Sequence, residues 1–232
     1  VSEAPDTVPP QATAAAINYG TGVLTITCSE TIDLTPASLS HVNTSQFFLS
    51  NTDGSLDNRL QSATIPDGDS SQFIVFLTEE QRVEGIKISG TSGGDNGATI
   101  LEILPGSLMD VGQAHSTEKF SLILTETADT ILPVVETAAL NYATGILTVT
   151  CSEIIDATPA SKVDLSKFRI VNDNTGLNDI TLTGGTVTER DGQTITIKIA
   201  EAHRIAAIYM SGTPGGDGVA VLLEVDTGGV YD

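Results

Sequence analysis

Leu24-Thr25-Ile26-Thr27-Cys28-Ser29 returns 123 residues later as Leu147-Thr148-Val149-Thr150-Cys151-Ser152. Apolar and hydroxylated residues alternate in both copies, and the alternation survives where the residues change. That is the period of a half-buried β-strand, with Leu24, Ile26 and Cys28 on the inward face. Working outward, Asn18 to Ser38 recurs at 141–161, where 16 of the 21 positions are identical. Leu77-Thr-Glu-Glu-Gln-Arg82 recurs as Ile199-Ala-Glu-Ala-His-Arg204, and Ser89-Gly-Thr-Ser-Gly-Gly-Asp95 as Ser211-Gly-Thr-Pro-Gly-Gly-Asp217. The preceding linkers match too, Glu3-Ala-Pro-Asp6 with Glu126-Thr-Ala-Asp129. A repeat of this length is the size of a domain rather than of a solenoid unit.

Comparing the copies separates inside from outside. Phe73, Val75 and Leu77 stay apolar as Ile195, Ile197 and Ile199, whereas Ile74 and Phe76 become Thr196 and Lys198. Phe47 and Leu49 stay apolar while Phe48 becomes Arg169, so Phe48 is expected to face out. Seven strands per module are expected, near 12–19, 22–29, 46–51, 60–65, 72–78, 98–104 and 117–124, separated by Gly, Asp, Asn and Pro. Thr35-Pro-Ala-Ser predicts a short helical piece with Pro at its first position. Thr78-x-x-Gln81 is a capping-box pattern and predicts a helix over Glu79–Ile88. Short strands at regular spacing predict an all-β fold, two tandem Ig-like Greek-key β-sandwich domains with short helical turns. The domains are expected at 1–125 and 126–232. Asp232 aligns with Asp110, so the second lacks a counterpart of Phe120-Ser-Leu-Ile-Leu124. The expected reason is a chain cut from a longer tandem array, with a strand from a neighbouring chain as the alternative.

Composition removes several classes of function. Thirty Asp and Glu against ten Lys and Arg give a net charge of -20 over 232 residues. Such a chain does not bind nucleic acid in general, which requires clustered cations, and it is not drawn to anionic lipid. No apolar run approaches the ~18 residues of a membrane span, so membrane insertion is not expected. Val1 onward carries no leader pattern, so a signal peptide is expected to have been removed or left out. Two Cys cannot staple a disulfide scaffold. Cys28 and Cys151 occupy equivalent inward positions of separate modules and are expected to be packed, reduced thiols. His41, His115 and His203 show no zinc spacing. Gly212-Thr-Pro-Gly-Gly-Asp-Gly218 lacks the Gly-Lys-Ser/Thr ending of a phosphate loop. No nucleophile elbow appears, and an enzyme is not expected.

Thr25-Ile-Thr-Cys-Ser-Glu-Thr-Ile-Asp33 and its copy resemble the T-x-T-F-S-E-x-x-D strand of bacterial Ig-like modules of the surface-layer (SbsA-like) type. The following Thr-Pro-Ala-Ser and the Glu-x-x-Arg helix are similar to repeats of large archaeal and bacterial cell-surface proteins. Cys28 and Cys151 stand where that pattern has Phe. The resemblance implies a structural segment of a secreted, cell-wall or surface-layer protein, with neighbouring modules or copies of the same protein in an array as partners. An adhesin stalk or binding module, or an accessory sandwich of a secreted enzyme or virion protein, stays open.

The acids carry the candidate site. Glu30, Asp33 and Asp110 recur as Glu153, Asp156 and Asp232. In an Ig-like sandwich the start of the first strand, the loop after the second and the loop between the sixth and seventh share one pole. That groups Glu126, Asp129, Glu153, Asp156 and Asp232 in the second module, with Glu30, Asp33 and Asp110 as the first module's members. Clustered carboxylates repel by about 1 kcal/mol per close pair unless a cation sits among them. Hard oxygen ligands in loops suit Ca²⁺, and the expectation is a Ca²⁺ ion stiffening the module junction. Merely solvated, solubilising acidic loops remain the alternative. Asn43-Thr-Ser45 is a sequon for N-glycosylation of an exported protein.

Overall fold

The structure is a computed structural model of the chain. It describes all residues except 36–40, 53–54, 67 and 173–178, so the expected turn at Thr35-Pro-Ala-Ser falls largely outside the described residues. The chain forms two compact units, Val1–Ile131 and Leu132–Asp232. No helix among the described residues is long and apolar enough to cross a membrane.

Unit 1 contains β1 (Ala12–Asn18), β2 (Val23–Ile32), β3 (Phe47–Ser50), β4 (Asn58–Arg59), β5 (Ser70–Phe76), α1 (Glu79–Lys87), β6 (Ile100–Ile103), β7 (Phe120–Ile123) and β8 (Thr125–Thr127). One sheet runs β5-β2-β1-β8 and the other β4-β3-β6-β7. The period-two pattern of β2 is realised directly, with Leu24, Ile26 and Cys28 buried and Thr25 and Thr27 half-buried. Those residues, with Ile17, Phe73 and Val75 from the same sheet, share one core with Phe47, Leu49, Leu101 and Ile103 from the other. Each such side chain contributes about 1.5–3 kcal/mol when fully buried. With β1-β2-β5 in one layer and β3-β6-β7 in the other, the chain alternates between layers in the Greek-key order of an Ig-like sandwich.

Unit 2 repeats the plan with β9 (Val135–Asn141), β10 (Ile146–Ile155), β11 (Phe168–Val171), β12 (Ile180–Thr181), β13 (Thr186–Val187), β14 (Gly192–Lys198), α2 (Glu201–Tyr209) and β15 (Leu222–Val225). Its sheets are β13-β14-β10-β9 and β12-β11-β15. Counterparts of β7 and β8 are lacking among its described residues.

Helix α1 starts where the capping box places it. Thr78 Oγ1 accepts from Gln81 N at 3.3 Å, and Gln81 Oε1 accepts from Thr78 N at 3.0 Å. Glu79 and Glu80 in the first turn and Lys87 in the last complement the helix dipole. Helix α2 has Ala200 at the cap position and lacks a side-chain cap bond.

Three details differ from expectation. The fourth strand is Asn58–Arg59 rather than 60–65: Leu60 N still donates to Phe47 O at 2.9 Å, but the chain then turns, with Ala63 N on Leu60 O at 3.0 Å, and Thr64 bridges Phe76 instead. Phe48 lies outside the central core cluster yet is buried, with the Arg59 guanidinium 5.9 Å from its ring centroid. Residues 126–131 belong to unit 1 rather than to the second module, because β8 pairs with β1 in parallel through Ala16↔Thr125, Ile17↔Glu126 and Asn18↔Thr127. The chain leaves β7, switches sheets at Leu124 and closes the other layer.

Candidate metal centre

The inward face of β2 ends in a carboxylate. The alternation that buries Cys28 and Ile32 puts Glu30 between them on the same face, at the end of the sandwich. Asp110 arrives from the hairpin after β6, tied to Ile32 by an antiparallel bridge. Asp6 comes from the segment before β1. Single carboxylate oxygens of Asp6, Glu30 and Asp110 all lie within 4.8 Å of one another. None of the three pairs with a Lys, Arg or His among the described residues.

Asp110 is the unusual member, being 2% exposed. Its Oδ1 accepts from Ala114 N at 2.9 Å, while its Oδ2 is buried with no hydrogen-bond partner. A buried carboxylate oxygen left in this way is costly unless something positive meets it. Glu30 responds to the same surroundings. Loss of solvent, then the neighbouring Asp6 and Asp110 charges, raise its pKa above the ordinary glutamate value. Gly112 lets the hairpin come close, since a Cβ there would stand 2.7 Å from Asp6 Cβ. Three carboxylates can offer up to six oxygens, and Ca²⁺ takes six to eight, with water filling the remainder. The donor set therefore fits a hard divalent cation.

Several of the other candidate residues have partners of their own. Asp33 binds His41 Nδ1 at 2.8 Å and caps Thr35 N at 3.3 Å. Glu126, on β8, is committed to unit 1: Oε1 accepts from Tyr19 Oη at 2.9 Å and Thr99 Oγ1 at 2.7 Å, and Oε2 from Gly90 N at 3.2 Å. Asp129 pairs with Arg82. In unit 2, Glu153 is buried on the inward face of β10, Asp156 pairs with Lys162, and Asp232 is exposed. Sequence reasoning passes over Asp6 as a candidate ligand, although its alignment with Asp129 through the linker repeat is a sufficient signal.

Arg82 and Glu126 together hold β8. The Arg82 guanidinium is sunk between Glu79, at 2.7 Å from both Nε and Nη2, the Tyr19 carbonyl at 3.1 Å, and Asp129. The helical i, i+3 ion pair with Glu79 is thus one side of a larger cluster. Burial raises the Tyr19 phenol above its ordinary pKa, so it is a neutral donor.

Both cysteines are free and buried. Burial pushes the Cys28 thiol up to about 12 and the Cys151 thiol up to about 11, away from the thiolate that reactivity needs. Asn43 is exposed, and its Oδ1 accepts from Ser45 N at 3.2 Å and Ser45 Oγ at 2.6 Å. Asp164 makes the same two bonds to Ser166 at 3.0 and 2.6 Å. The residue at this position caps a 3₁₀ turn in both copies, whichever of the two it is.

No protein-family model matches the chain, and no curated protein matches it. Among solved structures it is similar to the titin domains Z1Z2 in complex with telethonin, at 10% identity and a TM-score of 0.21, over 84% of each chain.

Proposed function

We propose that the chain is a non-enzymatic, load-bearing segment of a secreted cell-surface protein of the surface-layer type, with neighbouring modules or copies of itself as partners and Ca²⁺ held on its acidic ends. The observation that carries this reading is the parallel pairing of β1 with β8 in unit 1. The chain enters the unit at β1 and leaves it at β8. In a parallel pair those two ends point in opposite directions. Tension along the chain then shears the ladder and loads its bonds together, whereas an antiparallel pair at the termini would unzip one bond at a time. Tyr19 N to Thr127 O at 3.0 Å extends the ladder, and the Arg82–Asp129 pair anchors its far end. Duplication of the module and a net charge of -20 also support a repeated, well-solvated building element.

Two measurements test the reading. Antibodies against the chain should label intact cells of the source organism, and label seen only after permeabilisation refutes the surface assignment. Single-molecule pulling on the full chain should show unit 1 unfolding in one event, at a force that drops when Asp129 is replaced by Ala. A force unchanged by that substitution refutes the clamp.

A further inference from the structure

In unit 1 the segment from Lys119 to Asp129 covers a surface that the same repeat leaves open in unit 2. There β7 pairs with β6 through Ile100↔Ile123, Leu101↔Leu122, Glu102↔Ser121 and Ile103↔Phe120. β8 then crosses to β1, Leu124 N donates to Thr99 O at 2.9 Å, and Tyr19 and Leu101 are fully buried. The corresponding residues of unit 2 are Leu222–Val225 on β15, Ala139–Asn141 on β9, then Tyr142 and Val221. Beyond β11 and β10, neither β15 nor β9 has a strand neighbour among the described residues. Between these two open edges runs an apolar groove of about 420 Å³, lined by Leu140, Tyr142, Leu147, Ile170, Val221 and Leu223 among others. Leu222, at 57% exposure, stands on its rim.

The polar fittings are repeated as well. Arg204 holds Glu201 and the Tyr142 carbonyl, just as Arg82 holds Glu79 and the Tyr19 carbonyl. What Arg82 has in addition is Asp129, and the difference shows in exposure, 6% for the Arg82 side chain against 25% for Arg204. Glu102 is fully buried beneath Lys119 and Ser121, whereas Glu224 is open to solvent beside Arg169.

From this we infer that the groove of unit 2 is an acceptor for one added β-strand, an extended segment with the pattern Lys-Phe-x-Leu-x-Leu-x-Glu-x-x-Asp seen in Lys119–Asp129. The backbone of the incoming segment would extend β15 and then β9. Its Phe and Leu side chains would enter the groove, and its Asp would reach Arg204. Strand addition of this kind takes affinity from main-chain bonds and specificity from alternate side-chain pockets.

The probe is a synthetic peptide of Lys119–Asp129 added to the full chain. Unit 1 already holds its own copy, so the expected result is one peptide per chain. Amide exchange should slow in β9 and β15, and the melting transition of unit 2 should rise. An Asp129→Asn peptide should bind the wild-type chain roughly tenfold or more weakly, the cost of one charge-assisted bond. On the Arg204→Gln chain the two peptides should bind alike. A peptide of the same composition in scrambled order should not bind. The inference is overturned if neither peptide binds, if the scrambled peptide binds as well, or if the Asp129→Asn penalty is unchanged in Arg204→Gln. It is also overturned if the chain is a dimer that becomes monomeric on removing residues 1–6, because a second copy is then the occupant.

Discussion

Replacing Arg82 by Leu tests the clamp of unit 1, and the duplicated fold supplies its own control. The substitution keeps an apolar stem but removes the cation from two carboxylates, Glu79 at 17% and Asp129 at 9% side-chain exposure. Removing one partner of a buried ionic cluster costs roughly 3–5 kcal/mol. For a unit the size of Val1–Ile131 a loss of 1 kcal/mol lowers the melting temperature by about 4 °C, so the transition should fall by about 12–20 °C. Asp129→Ala leaves Arg82 with Glu79 and forfeits one charge-assisted bond, about 1.5–3 kcal/mol, which is a fall of about 6–12 °C. Arg204→Leu removes a more exposed side chain that holds only Glu201 and a carbonyl. The transition of unit 2 should therefore stay nearly where it was. Calorimetry of the full chain reads both transitions, and the variants assign them. A fall under about 4 °C for Arg82→Leu, less than 1 kcal/mol on the same conversion, or equal falls for the two arginines, would refute the reasoning.

Further outcomes follow from other sites. Ca²⁺ at a hundredfold excess over its dissociation constant should stabilise unit 1 by about 2.7 kcal/mol, and Asp110→Asn should remove that response; a wild-type chain indifferent to Ca²⁺ in calorimetry excludes the site. Asp164 is held below its ordinary pKa by its bonds to Ser166, so the stability it contributes is present above the ordinary aspartate value and lost as pH falls through the lowered one. Asp164→Asn, the residue its counterpart Asn43 already has, should flatten that acid limb in a pH series of melts, and an unchanged limb contradicts the assignment. A Cβ on Gly216 would lie 2.0 Å from Ser211 O. Gly216→Ala should accordingly cost more than about 3 kcal/mol in urea unfolding, beyond the usual range of point substitutions, whereas Gly184→Ala, with no atom within 4 Å, suffers only its φ of 78°.

The sandwich was readable because its information is local and duplicated. Strict alternation in β2 and β10 names the buried face residue by residue, and the second copy filters out accidents such as Phe76, which is exposed. β8 was not readable. Thr125-Glu-Thr is polar on both faces, and it becomes a strand only because Glu126 meets Tyr19 and Thr99, more than 25 residues away in sequence. The same long-range bonds explain why Glu126 looked like a cation ligand. Acidity is visible in a sequence, but the neutral donors that use it up are not. Leu60 misled in another way: it still donates to Phe47 O beside β4, and the turn that follows, Ala63 N on Leu60 O, breaks the strand expected to run on to residue 65. Asp110 was legible as an acid, but its orphaned Oδ2 depends on the hairpin that covers it.

The sheet switch at Leu124 puts the copied stretch of sequence and the folding stretch out of step. A break in the chain after residue 125 would sever Glu126 and Asp129 from the tyrosine and arginine they serve. During synthesis the first domain cannot finish until those residues have emerged, so its completion is timed by the arrival of the next repeat. Recombination that shuffles such modules keeps them intact only when the crossover falls beyond about residue 131.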